Sequence, residues 1–401
     1  MARCENIASC FFVFKEGQKM QENKRISISG AAKKLLGFFE GDIVLTVALL
    51  LAAVSAFVVK PDQEYLGYVD YRTLILLYCL MLIIAGLREQ NFFRLIGNRI
   101  LGQVKTRRGV ILTLVFLCFF SSMLITNDVA LITFVPFGMM ILEMAGLSST
   151  ACFVITMMTI AANLGSMLTP IGNPQNLYLY SVSEMGMGEF LLLMLPYAAL
   201  AAVLLLIFVA GHFKSVLAEA QVEQEIPVHR GRVVLYLGLF FLCILSVMGV
   251  VSEYVLLPLI GVGIFLLNRR LFLEADYGLL LTFVGFFVFI GNMNRLEELR
   301  VIIAGIVQGH ERLVAVLSSQ VISNVPAAVL LSGYTDQVKE LIVGTNLGGL
   351  GTLIASMASL ISYKQLAVSC PERKRGYLTI FTFWNLVFLL ALYALSILLS
   401  L

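Results

Sequence analysis

Two apolar stretches of this chain carry the same polar interruption, and each is followed by a second interruption that is shared as well. Ser121-Ser122-Met123-Leu124-Ile125-Thr126-Asn127 corresponds to Ser318-Ser319-Gln320-Val321-Ile322-Ser323-Asn324. Downstream, Asn163-Leu164-Gly165 and Thr169-Pro170-Ile171 correspond to Asn346-Leu347-Gly348 and Thr352-Leu353-Ile354. Stretches this apolar belong in a bilayer, where a broken helix is tolerated only if protein or water covers its freed backbone groups. A pair of interrupted apolar segments in matching places of two halves points to a central ion or substrate site.

Composition agrees with the bilayer. Hydrophobic residues make up 59% of the 401 residues and charged ones 13%, against roughly 25% charged in soluble domains. A soluble core could not hide that excess, so the chain reads as an all-α polytopic membrane protein whose partner is the lipid bilayer. A net charge of +3 is too small to suggest nucleic acid. The seven cysteines are scattered, without CxxC or metal-ligand spacing, and read as small buried hydrophobes.

A span needs roughly 20 mostly apolar residues. About nine full crossings are expected, near 43–59, 73–87, 150–183, 190–211, 233–251, 255–267, 279–291, 341–368 and 377–400. Residues 1–42 hold seven Lys/Arg and no signal-peptide core, so they read as a cytoplasmic leader, with a surface helix around Ala31–Phe39. With the N-terminus inside, the cytoplasmic segments hold 21 Lys/Arg and the opposite set 6, while acids divide 12 to 11. Only the positive charges report orientation, so the N-terminus is expected inside and the C-terminus outside.

This topology makes the two copies face opposite ways. The expected organisation is a first repeat at 43–211, a linker and connecting span at 212–254, and a second repeat at 255–401. Each repeat holds a hairpin, 110–145 or 313–332, and a broken span, 150–183 or 341–368. The ten residues Leu313–Ile322 make about 15 Å of helix, half of a roughly 30 Å core, so the second hairpin reads as re-entrant. The first, whose arms are longer, is assigned the same way by the repeat. Inverted repeats of this kind rock around a fixed midplane site, which is alternating access.

The tips carry helix-terminus chemistry. Ser323-Asn324-Val325-Pro326 reads as an N-cap followed by Pro at the start of the second arm, and Thr126-Asn127-Asp128 offers caps in the matching place. The segment from Asn163 through Thr169, Pro170, Gly172, Asn173 and Pro174 to Asn176 cannot stay helical through two prolines and two glycines. Four half-helix ends are thus expected to converge, with free N–H groups suited to anions and free carbonyls to Na⁺.

These motifs resemble the ion transporter superfamily over about 43–400. It includes divalent anion/sodium symporters, arsenite-efflux permeases and Na⁺/H⁺ antiporters of the NhaD type. In its dicarboxylate branch the hairpin tips read Ser-Asn-Thr, and tips and breaks bind Na⁺ and carboxylates. Here the first tip is Thr126-Asn127-Asp128, the second Ser323-Asn324-Val325-Pro326, and the second break ends in Ser356-Met357-Ala358-Ser359. That pattern is closer to the arsenite-permease side and its uncharacterised relatives. Some relatives are dimers, so a homodimer is left open.

The candidate substrate and ion residues are Thr126, Asn127, Asp128, Asn163, Thr169, Gly172, Asn173, Asn176, Ser323, Asn324, Asn346, Thr352 and Ser356. Asn127, Asp128, Gly172 and Asn173 are the candidates for Na⁺. Asp128 is the sharpest. Apart from Glu143 and Lys364, which sit near interfaces, it alone carries charge within an apolar stretch. An acid at mid-depth costs about 2.5–3.5 kcal/mol on insertion scales and is functional by default. Its charge repels an anion unless Na⁺ or H⁺ neutralises it. No cofactor is implied beyond such a coupling ion.

The expected function is a secondary active transporter of a small inorganic or organic ion, an anion or oxyanion first, coupled to H⁺ or Na⁺ in the cell membrane. Arsenite or antimonite efflux and Na⁺/H⁺ antiport are the alternatives, with an ion channel behind them. HExxH, GxSxG and P-loop motifs are all absent, which argues against an enzyme or a self-contained ATP-driven pump, though not against a soluble ATPase partner.

Overall fold

The structure is a computed structural model that describes residues 43–214, 216 and 227–399. The leader 1–42, its expected surface helix and most of the linker after 214 lie outside the described residues. The described chain is helical throughout. The first repeat comprises α1 (Ile43–Val58), α2 (Tyr71–Glu89), α3 (Phe92–Leu101), α4 (Arg107–Ser121), α5 (Asn127–Met144), α6 (Ala151–Ser166), α7 (Pro174–Val182) and α8 (Met187–His212). Helix α9 (Arg230–Val247) connects it to the second. The second comprises α10 (Glu253–Asn268), α11 (Tyr277–Asn294), α12 (Glu297–Val307), α13 (Glu311–Ile322), α14 (Asn324–Ser332), α15 (Val338–Gly348), α16 (Met357–Ser369) and α17 (Lys374–Leu399).

Element by element, α1–α8 match α10–α17. Helices α2 and α11 even start alike. Asp70 and Asp276, each followed by Tyr, accept from Thr73 N at 3.1 Å and Leu279 N at 2.9 Å, the bond that caps an exposed helix start. Both repeats then place a short amphipathic helix, α3 or α12, before the hairpin. Arg94 and Arg99 stand among apolar residues along α3. Nothing in the sequence reading suggested α12, which bends by 105° into α13.

Length decides the second hairpin. At about 1.5 Å per residue, α13 (12 residues) spans about 18 Å and α14 (9 residues) about 14 Å, well short of a roughly 30 Å core. Helix α4, with 15 residues, reaches about 22 Å before the chain turns at Ser122–Thr126. Helix α5 is longer, with 18 residues and about 27 Å, so the first hairpin is the deeper one. A hairpin that turns back leaves the chain on the side it came from. Between the starts of α2 and α11 lie five crossings, which is odd, so the second repeat enters from the opposite face.

The two repeats are interlocked. Helix α1 packs on α11 and α10 on α2, each against the other repeat. In the same exchange, α7 packs on the hairpin arm α14 and α16 on α5. Around the outside, large apolar side chains face outward, Leu192, Leu266 and Leu390 among them. A bilayer is what covers an apolar surface of that extent.

Each tip touches the break of its own repeat in the same way. Thr169 Oγ1 donates to Met123 O at 2.6 Å, and Thr352 Oγ1 to Gln320 O at 3.1 Å. Gly165 lies against Phe119 O and Ser122, and Gly348 against Ser319 and Val316, so close that a Cβ would collide. Those glycines let the hairpin arm approach the span before its break.

The expected caps do not form as read. Ser323 and Thr126 do occupy the N-cap positions of α14 and α5, but neither side chain makes a capping bond. Ser323 adopts φ 74° and turns its hydroxyl to Ala355 O at 3.4 Å. Pro326 is the third residue of α14, not its first. Asp128 is the second residue of α5, so capping does not account for it.

Candidate functional site

The breaks of the two spans are built from unlike residues that make reciprocal bonds. Asn163, near the end of α6, meets the start of α16: Ser356 Oγ donates to Asn163 Oδ1 at 3.0 Å, and Asn163 Nδ2 to Ser359 Oγ at 3.4 Å. Asn346, its counterpart on α15, meets the start of α7. Asn173 Nδ2 donates to Asn346 Oδ1 at 3.2 Å, and Asn346 Nδ2 to Asn176 Oδ1 at 2.6 Å. So each repeat's span is stitched to the restart of the other's. All six side chains are buried. Polar groups this deep have to be paired, and the crossed arrangement pairs them.

The first tip joins this network through Asn127 Nδ2, which donates to Asn163 Oδ1 at 2.9 Å, while Asn127 Oδ1 accepts from Asp128 N at 3.0 Å. The second tip joins through its backbone, Asn324 N donating to Ala355 O at 3.0 Å. Around this meeting point lies a small cavity. Asn127, Asp128, Gln175, Asn324, Val325 and Ser356 line it, with Pro174, Leu279 and Met357 closing the rest. It has room for about one water-sized sphere.

Not every sequence candidate reaches that cavity. Asn127, Asp128, Asn324 and Ser356 line it. Asn163, Asn173, Asn176 and Asn346 stand directly behind as the network that holds the walls. Asn173 also caps α7, accepting from Asn176 N at 3.1 Å, and Asn176 Nδ2 donates to Met167 O and Thr169 O. Gly172 is buried against the end of α6, close enough to Ser166 O that a Cβ would overlap it. Thr169 and Thr352 tie tips to breaks, and Thr352 is otherwise exposed. Thr126 and Ser323 hold the two turns.

Two residues that the sequence reading passed over belong here. Gln175 is buried in the cavity wall, flanked by the asparagines that drew attention to the segment. Gln320 braces the second tip: Nε2 donates to Gly348 O and Leu350 O, each at 2.9 Å, and Oε1 accepts from Thr352 N at 2.9 Å. Its place between Ser319 and the tip, opposite Met123, was the available signal. Among the buried polar atoms of the cavity wall, Asp128 Oδ1 and Gln175 Nε2 have no hydrogen-bond partner. One is an acceptor and the other a donor, and both belong to the first repeat, Asp128 on α5 and Gln175 on α7.

Glu143 and Lys364 are exposed, as their positions near helix ends suggested. His212, His229 and His310 are also exposed, with His212 stacked on Phe153 at a centroid distance of 4.2 Å. Trp384 packs among Phe153, Phe208 and Phe383.

The sequence of this region matches a family of known proteins. The family model of the citrate transporters, CitMHS, matches residues 35–339. The chain belongs to the CitMHS family. It is 33% identical over 323 residues to an uncharacterised transporter of Methanocaldococcus jannaschii, covering 80% of this chain and 87% of that protein. The inner membrane protein YbiR of Escherichia coli is 29% identical over 329 residues, 81% of this chain and 88% of its own. A silicon efflux transporter of Oryza sativa is 31% identical over a shorter region of 156 residues, 38% of this chain and 31% of that one. As a CitMHS member the chain is a multi-pass membrane protein of a transporter family. The matched region includes both hairpins and the first break, and so every residue of the cavity wall except Ser356 and Met357.

Proposed function

We propose that this protein is a secondary active transporter that carries a small anion or oxyanion through the central cavity by alternating access, with Asp128 loading H⁺ or Na⁺. It sits in the cell membrane, with its N-terminus on the cytoplasmic side. The observation that carries the reading is the unpartnered carboxylate oxygen of Asp128, set in a cavity walled by both tips and both breaks. Such an acid has to be neutralised before an anion can approach it. A proton or Na⁺ does that, and the amides of Asn127, Asn324 and Gln175 supply donors for the oxygen atoms of the solute.

The two repeats supply one acid between them, since Val325 stands where a second would be. A single coupling charge also suits efflux of arsenite, antimonite or a similar oxygenated solute, and Na⁺/H⁺ antiport. The name of the rice relative, a silicon efflux transporter, favours the efflux reading as the second choice.

The test is transport by the purified protein in proteoliposomes. Citrate, arsenite, silicic acid and phosphate are offered with and without Na⁺ at two pH values, and 22-Na⁺ flux is followed separately. Saturable, gradient-driven uptake with counterflow is expected for one of them, and a channel would show no counterflow. Asp128→Asn should lower the gradient-driven rate at least about 100-fold while leaving the thermal unfolding of the protein in place. Unchanged driven transport in that variant would refute the assignment.

A further inference from the structure

A second cavity, a chamber of about 270 Å³, lies along the same seam as the central one. Tyr68, Tyr178, Val182, Phe287, Asn294 and Ser332 are among its walls. We infer that this chamber is the vestibule through which solute reaches the central cavity, and that Tyr178, Phe283 and Phe287 form the gate between the two. The inference rests on the transport reading above and adds to it a route and a barrier.

Three helices run past both spaces. On α7, Gln175 lines the central cavity while Tyr178 and Val182, three and seven residues on, line the chamber. Residues at that spacing share one helix face. On α14, Val325 lies below and Ser332, seven residues on, above. On α11, Leu279 lies below, and Phe287 and Asn294 above. From Leu279 to Phe287 is eight residues, about 12 Å along the helix.

That interval is filled by aromatic rings. The Tyr178 ring lies 6.1 Å from Phe283 and 5.4 Å from Phe287, and the two phenylalanines lie 5.9 Å apart. Phe283 is wholly buried. One bond fixes the plug: the hydroxyls of Tyr178 and Ser332 are 2.7 Å apart, tying α7 to α14 across the seam. Tyr178 and Ser332 belong to different repeats, so any movement of α7 against α14 strains this contact.

The chamber's chemistry suits passage. No charged side chain lines it, so no fixed charge traps or repels an ion there. Asn294 Oδ1 in its wall has no hydrogen-bond partner, an acceptor open to a hydroxyl-bearing solute. Binding in a conduit has to be weak enough to release. At the other end Tyr68 lies over Gly291, its hydroxyl accepting from Arg295 at 3.1 Å. That end carries the segments in which Lys and Arg are scarce, the side read as external.

The experiment is thiol labelling of the full chain in detergent with a small charged methanethiosulfonate reagent, with the parent chain carried as the blank for its native cysteines. Val182→Cys reports the chamber and Val325→Cys, a near-isosteric change, reports the central cavity. Val325→Cys should label at least tenfold more slowly than Val182→Cys. Tyr178→Phe and Ser332→Ala each remove the latch and should each speed Val325→Cys labelling about fivefold. Combined they should add nothing more, because both remove one bond. Tyr178→Ala, which removes the ring, should bring the two rates together. Equal rates in the latched chain, or no response to any of the three changes, would overturn the gate. Solute flux in proteoliposomes with the labelling pattern lost would break the gate alone. The pattern without flux of any solute would break the transport reading alone.

Discussion

The two repeats reach the same meeting point with the same bonds and different chemistry. The first brings two prolines, three asparagines and an acid: Asn127 and Asp128 at the tip, then Pro170, Asn173, Pro174 and Asn176 at the break. In the second repeat Asn324 and Val325 stand at the tip, and Ser356 and Ser359 take the places of Asn173 and Asn176. Yet Asn163 and Asn346 each reach across to the opposite restart, and Thr169 and Thr352 each tie a tip to a break. Scaffold bonds are thus duplicated while the charge is not. A fold with two-fold logic needs both copies of each stitch, because the midplane break is costly wherever it occurs. Coupling needs a single carboxylate. A second one facing the first would raise the repulsion each exerts on an anion or on the other.

The largest effect should come from moving the charge. If the two tips are interchangeable walls of one cavity, adding Val325→Asp to Asp128→Asn should recover at least a tenth of the driven transport. No recovery would mean that the tips differ in more than the acid. The close approach at the glycines comes next. Gly165→Ala places a Cβ 2.0 Å from Phe119 O, a backbone atom, whereas Gly348→Ala comes no nearer than 2.6 Å to the Ser319 hydroxyl and 2.7 Å to its Cβ, a smaller overlap. Thermal unfolding in detergent should show a loss of about 3 kcal/mol for the first and about 1 kcal/mol for the second. Equal losses would erase the distinction.

The crossed stitches offer a smaller contrast. Asn346→Ala strands Asn173 and Asn176 together, and should cost about 2 kcal/mol, a fall in Tm of about 4 °C. Asn163→Ala strands Asn127 and two serines whose hydroxyls can turn to other acceptors, and should cost about half as much. The smallest effect belongs to the surface. Arg295 binds Asp62 at 2.7 Å over the Tyr68 turn, and its hydrogen bond holds the Asp62 carboxyl below the usual carboxylate range. A depressed value means that the contribution is present above the ordinary carboxylate pKa and fades as pH falls through the folded-state value. Asp62→Asn should therefore leave the Tm nearly unchanged at any pH, with what difference there is confined to pH above the ordinary carboxylate range. Exposed pairs of this kind contribute little.

Much of this was legible in the residues themselves. Hydrophobic runs of the right length specify spans, because a helix that satisfies its own backbone is what hydrocarbon accepts. Prolines and glycines inside such runs specify where a span breaks, and Asp128 announced itself by being charged where charge is expensive. The duplication of Asn127, Asn163 and Thr169 as Asn324, Asn346 and Thr352 marks both tips and both breaks. Even so, the sequence ranked candidates without saying which of them face the cavity.

Which candidates face the cavity was decided by tertiary structure. A helix face is read from spacing, but whether Asn173 points into a solute space or into Asn346 depends on how far the other repeat has come to meet it. The same holds for Gln175 and for Tyr178, ordinary residues in a short helix until α11 and α14 close around them. Local propensity acts over a few residues along the chain. The site is made by pairs 170 and more residues apart, and those contacts exist only once the two halves have interlocked.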